Sequence, residues 1–297
     1  MEIQTALLTG SEGETSRRFY AALATSGPGS ETFSLFSEMV RAFYRAHARS
    51  MAWRETRDPY RVLISEVMLQ QTQVNRVKEK YPQFIEAFPT FASLADAPLS
   101  AVLERWQGLG YNRRAVALHR AAGIVVSAWG GVLREDPADL VTLPGIGKAT
   151  AASVATFAFN RPTVFIETNI RRVFIHCFCR DLEGVTDREI LPLVERTLDQ
   201  QNPREWYYAL MDYGTFIAAH HSNPNKKSAH YTKQSRFEGS DRQVRGRILR
   251  LVGAGPTRRD DMTRELGEDS GRVGRLLLAL KAEGFLEIEG DMVRIRS

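Results

Sequence analysis

The chain has 297 residues, 43% of them hydrophobic and 25% charged, a make-up that excludes a mainly disordered protein and allows one large or two ordinary domains. Forty Lys and Arg against 35 Asp and Glu leave a net charge of +5, which permits a polyanionic partner without requiring one. Two cysteines, Cys177 and Cys179, are too few to hold a zinc or iron–sulfur centre by thiolates alone, and no apolar run approaches the roughly 20 residues of a membrane span.

Residues 1–31 are rich in Ser, Thr, Gly and Glu and read as a loosely ordered extension, with one short helix at Arg17–Ala24 ahead of Gly27-Pro28-Gly29. They carry no basic segment followed by an apolar core, so the chain is expected in the cytoplasm and on the nucleoid, away from any membrane. Phe33, Phe36, Met39, Val40 and Phe43 recur at spacings of three and four, one buried face of a helix that reaches Ala48. Asp58-Pro59 supplies a cap and a first-position proline for a helix that reads as running on through Lys80. Further helices are predicted at 81–88, 91–96, 98–107, 112–128, 136–142, 147–160, 168–179, 187–200 and 203–219, so 32–220 reads as an all-α domain. Residues 221–240 are polar and without period, a basic linker or a loop wrapped on the preceding domain. Between Lys226 and Arg259 ten Lys and Arg face only Glu238 and Asp241, a local excess of eight that exceeds the net charge of the whole chain. Residues 241–297 give three helical patterns, Arg242–Val252, Arg259–Leu266 and Ser270–Glu283, then an alternating run with a Glu-Gly-Asp turn. Three helices and a terminal β-hairpin suggest a winged helix; the alternative is a small oligomerisation or packing module.

Three stretches carry chemistry. In Leu143-Pro144-Gly145-Ile146-Gly147-Lys148-Ala149-Thr150, two glycines allow a tight turn and expose amides at a helix N-terminus, where partial positive charge favours a phosphate oxygen. This is the device of a helix-hairpin-helix, which grips a DNA backbone without reading bases; the plainer alternative is an ordinary helix–loop–helix turn. Glu66 stands among Leu63, Ile64, Val67, Met68 and Leu69, where partial desolvation would keep a proton available near neutral pH, with Gln70 expected one turn along on the same face. The alternative is a surface glutamate. In the third stretch, Glu167, Thr168 or Asn169 opens a helix after an apolar run, a pattern equally suited to a simple cap.

Together, WRETRDPYRVLISEVMLQQTQV, WQGLGYNRRAVALHRAA, LPGIGKATAASV, ETNIRRVF and ALMDYGTFIA resemble the helix-hairpin-helix base-excision DNA glycosylases over residues 35–220. The likeness is to the MutY-type adenine glycosylases and their neighbours, endonuclease III and the archaeal G·T-mismatch enzymes. It implies two helical subdomains, followed here by the winged helix, and a monomer acting on double-stranded DNA with a mismatched or damaged base. It implies base flipping and hydrolysis of an N-glycosidic bond, with Glu66 as general acid, Gln70 and Gln71 lining the gap in the duplex, Tyr111 intercalating and Asn169 near the catalytic carboxylate. Gly145, Ile146, Gly147, Lys148 and Thr150 would hold the backbone, joined by Lys226, Lys227 and Lys233. Ala149 stands where endonuclease III has its Schiff-base lysine, which points to hydrolysis without strand cleavage. Three departures stand out. Glu167 replaces the family aspartate that stabilises the oxocarbenium-like transition state. The four cluster cysteines after Met211-Asp212-Tyr213-Gly214 are missing, so no cofactor and no metal is expected. The MutT-like domain that inspects 8-oxoguanine is replaced by the winged helix. The leading expectation is excision of adenine opposite G or 8-oxoguanine; the alternatives are excision of thymine or uracil opposite guanine, and a non-catalytic DNA-binding protein.

Overall fold

A computed structural model describes residues 10–232 and 236–296. Its helices, in chain order, are α1 (Gly10–Ser26), α2 (Ser30–His47), α3 (Pro59–Leu69), α4 (Val74–Ala87), α5 (Phe91–Ala95), α6 (Leu99–Trp106), α7 (Arg113–Trp129), α8 (Pro137–Leu140), α9 (Lys148–Phe159), α10 (Thr168–Phe178), α11 (Asp187–Thr197) and α12 (Pro203–His220). The C-terminal region adds α13 (Asp241–Ala254), β1 (Thr257–Arg258), α14 (Arg259–Leu266), α15 (Ser270–Ala282), β2 (Leu286–Glu289) and β3 (Met292–Ile295). These elements form two compact units, Met1–Met51 with Ala152–Lys233, and Ala52–Ala151 with Gln234–Ser297.

The first unit is built on an aromatic core. Phe36 meets Phe174 at 5.4 Å and Trp206 at 6.0 Å between centroids, drawing α2, α10 and α12 together. Helix α1 occupies part of the stretch expected to be loose. Phe19, fully buried, packs on Phe36 at 5.7 Å and on Phe178 at 5.5 Å, and with Tyr20, whose hydroxyl lies 3.8 Å from Cys177 Sγ, it docks the helix. Past α12 the chain makes a 3-10 turn (Pro224–Lys227) whose buried Asn225 donates to the Thr168 carbonyl at 3.0 Å, while Ser228 bridges Val185. This part of the expected linker is therefore wrapped on the helices before it. Lys233 lies outside the described residues.

In the second unit, Leu63, Ile64, Phe84, Val102, Trp106, Leu118 and Val125 are buried, with Phe84 and Trp106 edge to face at 5.8 Å. Asp58 caps α3 as the sequence predicts, accepting from Tyr60 N at 3.0 Å. The single helix expected from Val62 to Lys80 is instead two. Helix α3 ends at Leu69, Gln71 is left-handed at φ 51°, and α4 starts at Val74, so Gln70–Gln73 form a turn and Gln70 does not continue Glu66's helical face. Residues 241–296 form the winged helix: Val244, Ile248, Val273, Leu277, Leu280, Phe285 and Val293 make its core, and the sheet order is β1-β3-β2 with both pairings antiparallel. Strand β1, absent from the sequence reading, is two residues long, too short for alternation to show. Helix α13 packs on α6, so the winged helix and the helices of residues 52–151 share one unit.

Candidate active site

The second unit carries Glu66, the hairpin turn and Tyr111. Glu66 is half-buried in α3 between the buried Ser65 and Val67. The helix end beyond it is fixed from two directions. Gln70 Nε2 donates to Thr150 Oγ1 at 3.1 Å and lies 3.5 Å from the Gly145 carbonyl, so the side chain expected in the duplex holds α3 to the hairpin turn, and the Thr150 hydroxyl expected on DNA accepts it. Arg114, buried in the first turn of α7, does the rest. Its Nη1 donates to the carbonyls of Val67, Met68 and Gln70 at 2.7, 2.9 and 2.7 Å. Its Nη2 donates to Thr72 Oγ1 at 2.9 Å and to the carbonyls of Leu109 and Gly110 at 3.3 and 3.0 Å. These are carbonyls that a helix end leaves without intrahelical donors, at the negative end of its dipole. Burial pulls the guanidinium down to about 10, still fully charged at neutral pH.

The hairpin turn has the shape that its glycines predict. Leu143 and Ile146 are buried beneath it. Gly145 has φ +77°, and a Cβ there would lie 2.7 Å from Ala117 Cβ on α7. The first intrahelical bond of α9 runs from Ala151 N to the Gly147 carbonyl at 2.9 Å, so the amides of Lys148 and Ala149 lie in the opening turn of the helix. Gly147, Lys148 and Ala149 are exposed there, a concentration of N–H dipoles suited to a phosphate. Tyr111 sits on a loop of left-handed residues, Gly108 at φ 91°, Gly110 at 74° and Tyr111 itself at 48°, and its ring is 38% exposed. Gln71 is also exposed on its left-handed turn.

The first unit carries Glu167 and Asn169. Glu167 is the N-cap of α10, its Oε1 accepting from Asn169 N at 2.7 Å and Ile170 N at 2.8 Å. Its Oε2 lies 3.3 Å from Asn169 Nδ2. The cap alternative is thus realised, and it spends one oxygen while leaving the other to the Asn169 amide. Burial raises the Glu167 carboxyl above its ordinary value, against the opposing pull of the two amides and of Arg172 and Arg171. Arg172, which the sequence did not single out, donates to Asn169 Oδ1 at 2.5 Å and to the Gly214 carbonyl at 3.0 Å. A Cβ on Gly214 would lie 2.5 Å from the Asn169 carbonyl oxygen, which explains the glycine of Met211-Asp212-Tyr213-Gly214. The aspartate of that motif is buried and ion-paired with Arg49 at 2.6 Å.

Of the flanking lysines, Lys226 is exposed, whereas Lys227 donates to the Arg180 carbonyl at 2.6 Å and pairs with Glu183 at 3.1 Å. Lys227 closes its own loop. Among the described residues no group of three or more His, Cys, Asp or Glu is placed to hold a metal. A four-cysteine cluster does not fit a chain with two cysteines. Both are buried, and burial pushes the Cys177 thiol up to about 12, which marks it as a protonated core side chain.

The turn at 143–150 and the α9 amides define a helix-hairpin-helix protein. The model of the family described as "HhH-GPD superfamily base excision DNA repair protein" matches residues 64–193. An adenine DNA glycosylase of Mycobacterium tuberculosis (strain ATCC 25618 / H37Rv) is 30% identical over 271 residues, 82% of this chain and 88% of that one. One from Buchnera aphidicola subsp. Baizongia pistaciae (strain Bp) is 32% identical over 197 residues, 65% of this chain and 55% of that protein. Among solved structures, a thermostable thymine-DNA glycosylase superposes with a TM-score of 0.59 at 27% identity, covering 66% of this chain and 92% of that one. The chain belongs to the HhH-GPD superfamily and is a DNA N-glycosylase, so the alternative of a DNA-binding protein without chemistry gives way.

Proposed function

We propose that this glycosylase hydrolyses the N-glycosidic bond of an adenine mispaired with guanine or 8-oxoguanine in double-stranded DNA. The observation that carries the reading is the Gln70–Thr150 hydrogen bond of 3.1 Å. It joins the end of the Glu66 helix to the turn whose amides suit a phosphate, so the proton donor and the backbone grip are held in one frame. The target nucleotide leaves the stack, and Gln71 and Tyr111, exposed on their turns, fill the space it vacates. Glu66 protonates a ring nitrogen of the departing adenine while the C1′–N9 bond breaks and its electron pair goes to the base. The Glu167 carboxylate stabilises the positive charge left on the sugar, with Asn169 holding its second oxygen. Water then adds to C1′ and releases a proton. Gly145, Ile146, Gly147, Lys148 and Lys226 serve the phosphates. Position 149 offers no amine, so no imine forms there, which favours hydrolysis that leaves the backbone intact. No step calls on an iron–sulfur cluster.

The likeness to a thymine-DNA glycosylase favours a second reading, thymine or uracil opposite guanine, whose excision needs less protonation of the leaving base. Duplexes carrying A·8-oxoG, A·G, T·G and U·G, treated with the full chain and then with alkali, separate the two. Cleavage of the first pair supports the adenine reading, cleavage confined to the second pair supports the alternative, and no product from any duplex overturns both.

A further inference from the structure

We infer that the winged-helix domain braces the Tyr111 loop, with Arg242 as a positioning residue. The inference rests on the proposed reading of Tyr111 as the ring that enters the duplex. Arg242, on α13, donates from Nη1 to the Tyr111 hydroxyl at 3.0 Å and lies 6.0 Å from the ring centroid. Arg114 approaches the same ring at 5.6 Å, so the ring is held between a guanidinium from α7 and one from the winged helix.

Next to this contact lies a second. Glu283, at the end of α15, accepts a two-pronged grip from Arg113 at 2.7 and 2.9 Å and another hydrogen bond from Arg245 on α13 at 2.6 Å. Burial works against the Glu283 charge, and the two arginines outweigh it and hold the carboxyl below its ordinary value. Arg113 follows the Tyr111 loop by two residues and Arg242 touches its aromatic, so the winged helix grips both the tip and the base of the loop.

Part of the domain's charge is spent within itself. Arg247 pairs with Glu268, Arg258 with Asp291, Arg272 with Asp241 and Glu268, and Arg294 with Glu287 and Glu289. The wing turn, Glu289-Gly290-Asp291, carries two carboxylates, each paired with an arginine of the domain. These pairs take up part of the positive charge of the domain, while Arg250, Arg275 and Lys281 stay exposed. The Tyr111 side chain is partly exposed at the tip of the loop, and only orientations that stack on a base are competent. Fixing the hydroxyl from outside the loop raises that competent fraction before DNA arrives.

The test compares Arg242→Met, Tyr111→Phe, their double variant and Glu283→Gln in the full chain. In DNA-free protein, amide hydrogen exchange of residues 108–112 accelerates in Arg242→Met and Glu283→Gln. In single-turnover excision, Arg242→Met and Tyr111→Phe each slow the reaction about three- to tenfold, the worth of one hydrogen bond, and the double variant is no slower than the slower single. Arg242→Lys, which keeps a donor for the hydroxyl, recovers part of the rate. The slope of binding against salt stays that of the wild type. Additive losses, unchanged exchange, or a slope reduced by about one for Arg242→Met, the mark of a lost phosphate contact, would each overturn the brace. Tyr111→Phe alters one oxygen on an exposed ring and keeps the test readable if Arg242→Met misfolds. A wild type inert on every duplex would sink the glycosylase reading, and the exchange measurement would still decide the brace.

Discussion

Replacing Arg114 by methionine preserves side-chain volume and removes every donor. The wild-type guanidinium serves six acceptors at 2.7–3.3 Å, three of them carbonyls at the end of α3. A buried carbonyl left without a partner costs about 1–3 kcal/mol. The losses are not additive, because the freed turn relaxes and water reaches its outer members. Methionine also spares the molecule the desolvation of a cation, a burden visible in the lowered guanidinium value. The net destabilisation is about 3 kcal/mol, at the lower edge of what breaking a buried charged network does. Urea unfolding followed by tryptophan emission suits the measurement, since Arg114 lies 5.3 Å from the Trp106 ring centroid. Arg114→Lys falls between, because a compact ammonium reaches one cluster of carbonyls and leaves the other. A midpoint for Arg114→Met within about 1 kcal/mol of wild type at equal m-value would refute the claim that this side chain holds the Glu66 helix end to the Tyr111 loop.

Gly214→Ala puts a methyl group 2.5 Å from the Asn169 carbonyl oxygen and 2.7 Å from its Cβ. The two helices must part, at about 1–3 kcal/mol, and the Asn169–Glu167 contact loosens with them. Scanning calorimetry should show a melting point lowered by a few degrees, roughly 2–4 °C per kcal/mol at this size, together with slower excision; an unchanged melting point means the backbones have room to spare. In the proposed reaction Glu167 must be ionised to stabilise a cation, and burial raises its carboxyl from the ordinary 4.5. Excision therefore declines on acidification at a pH above the ordinary carboxylate range, and Glu167→Gln removes that limb along with most of the rate. The sign for stability is opposite: a raised carboxyl favours the folded state most below the unfolded value and less as pH rises through the folded one. A pH–rate profile whose acid limb sits at or below 4.5 contradicts the assignment.

Where local chemistry decides the structure, the sequence was readable. Asp58-Pro59, the two glycines of the hairpin turn and the three helices of the winged domain stand within a residue or two of their predicted places. The interruption after Leu69 was hidden because apolar spacing continues across it from Val62 to Val77 and glutamine is no signal for a left-handed residue. What ends the helix there is Arg114, more than 40 residues away along the chain. Arg113 and Arg114 are indistinguishable as letters, yet successive helical positions point about 100° apart, and one goes outward to Glu283 while the other turns in beneath α3. At the start of α10 the sequence offered Glu167, Thr168 and Asn169 as caps. Glutamate, one methylene longer than the usual aspartate, was the least expected, and it takes the position because its arm curls back to two amides at once. Helix α1 was expected only over Arg17–Ala24 and begins at Gly10, because Thr15 and Ser16, polar letters buried with Phe19, give its docking face no apolar period, and its docking place is made by residues of α2 and α10.

The chain visits its two units alternately: first, second, first, second, with crossings after Met51, Ala151 and Lys233. Neither core is encoded by one continuous stretch. During synthesis the first helices wait for residues beyond 152 before their aromatic partners exist, and the helices of residues 52–151 are complete as a chain well before α13 and Glu283 emerge to engage Tyr111 and Arg113. Each unit is thus assembled from early and late translation products, so a ribosome that stops between the crossings releases a polypeptide with exposed apolar faces and no finished half.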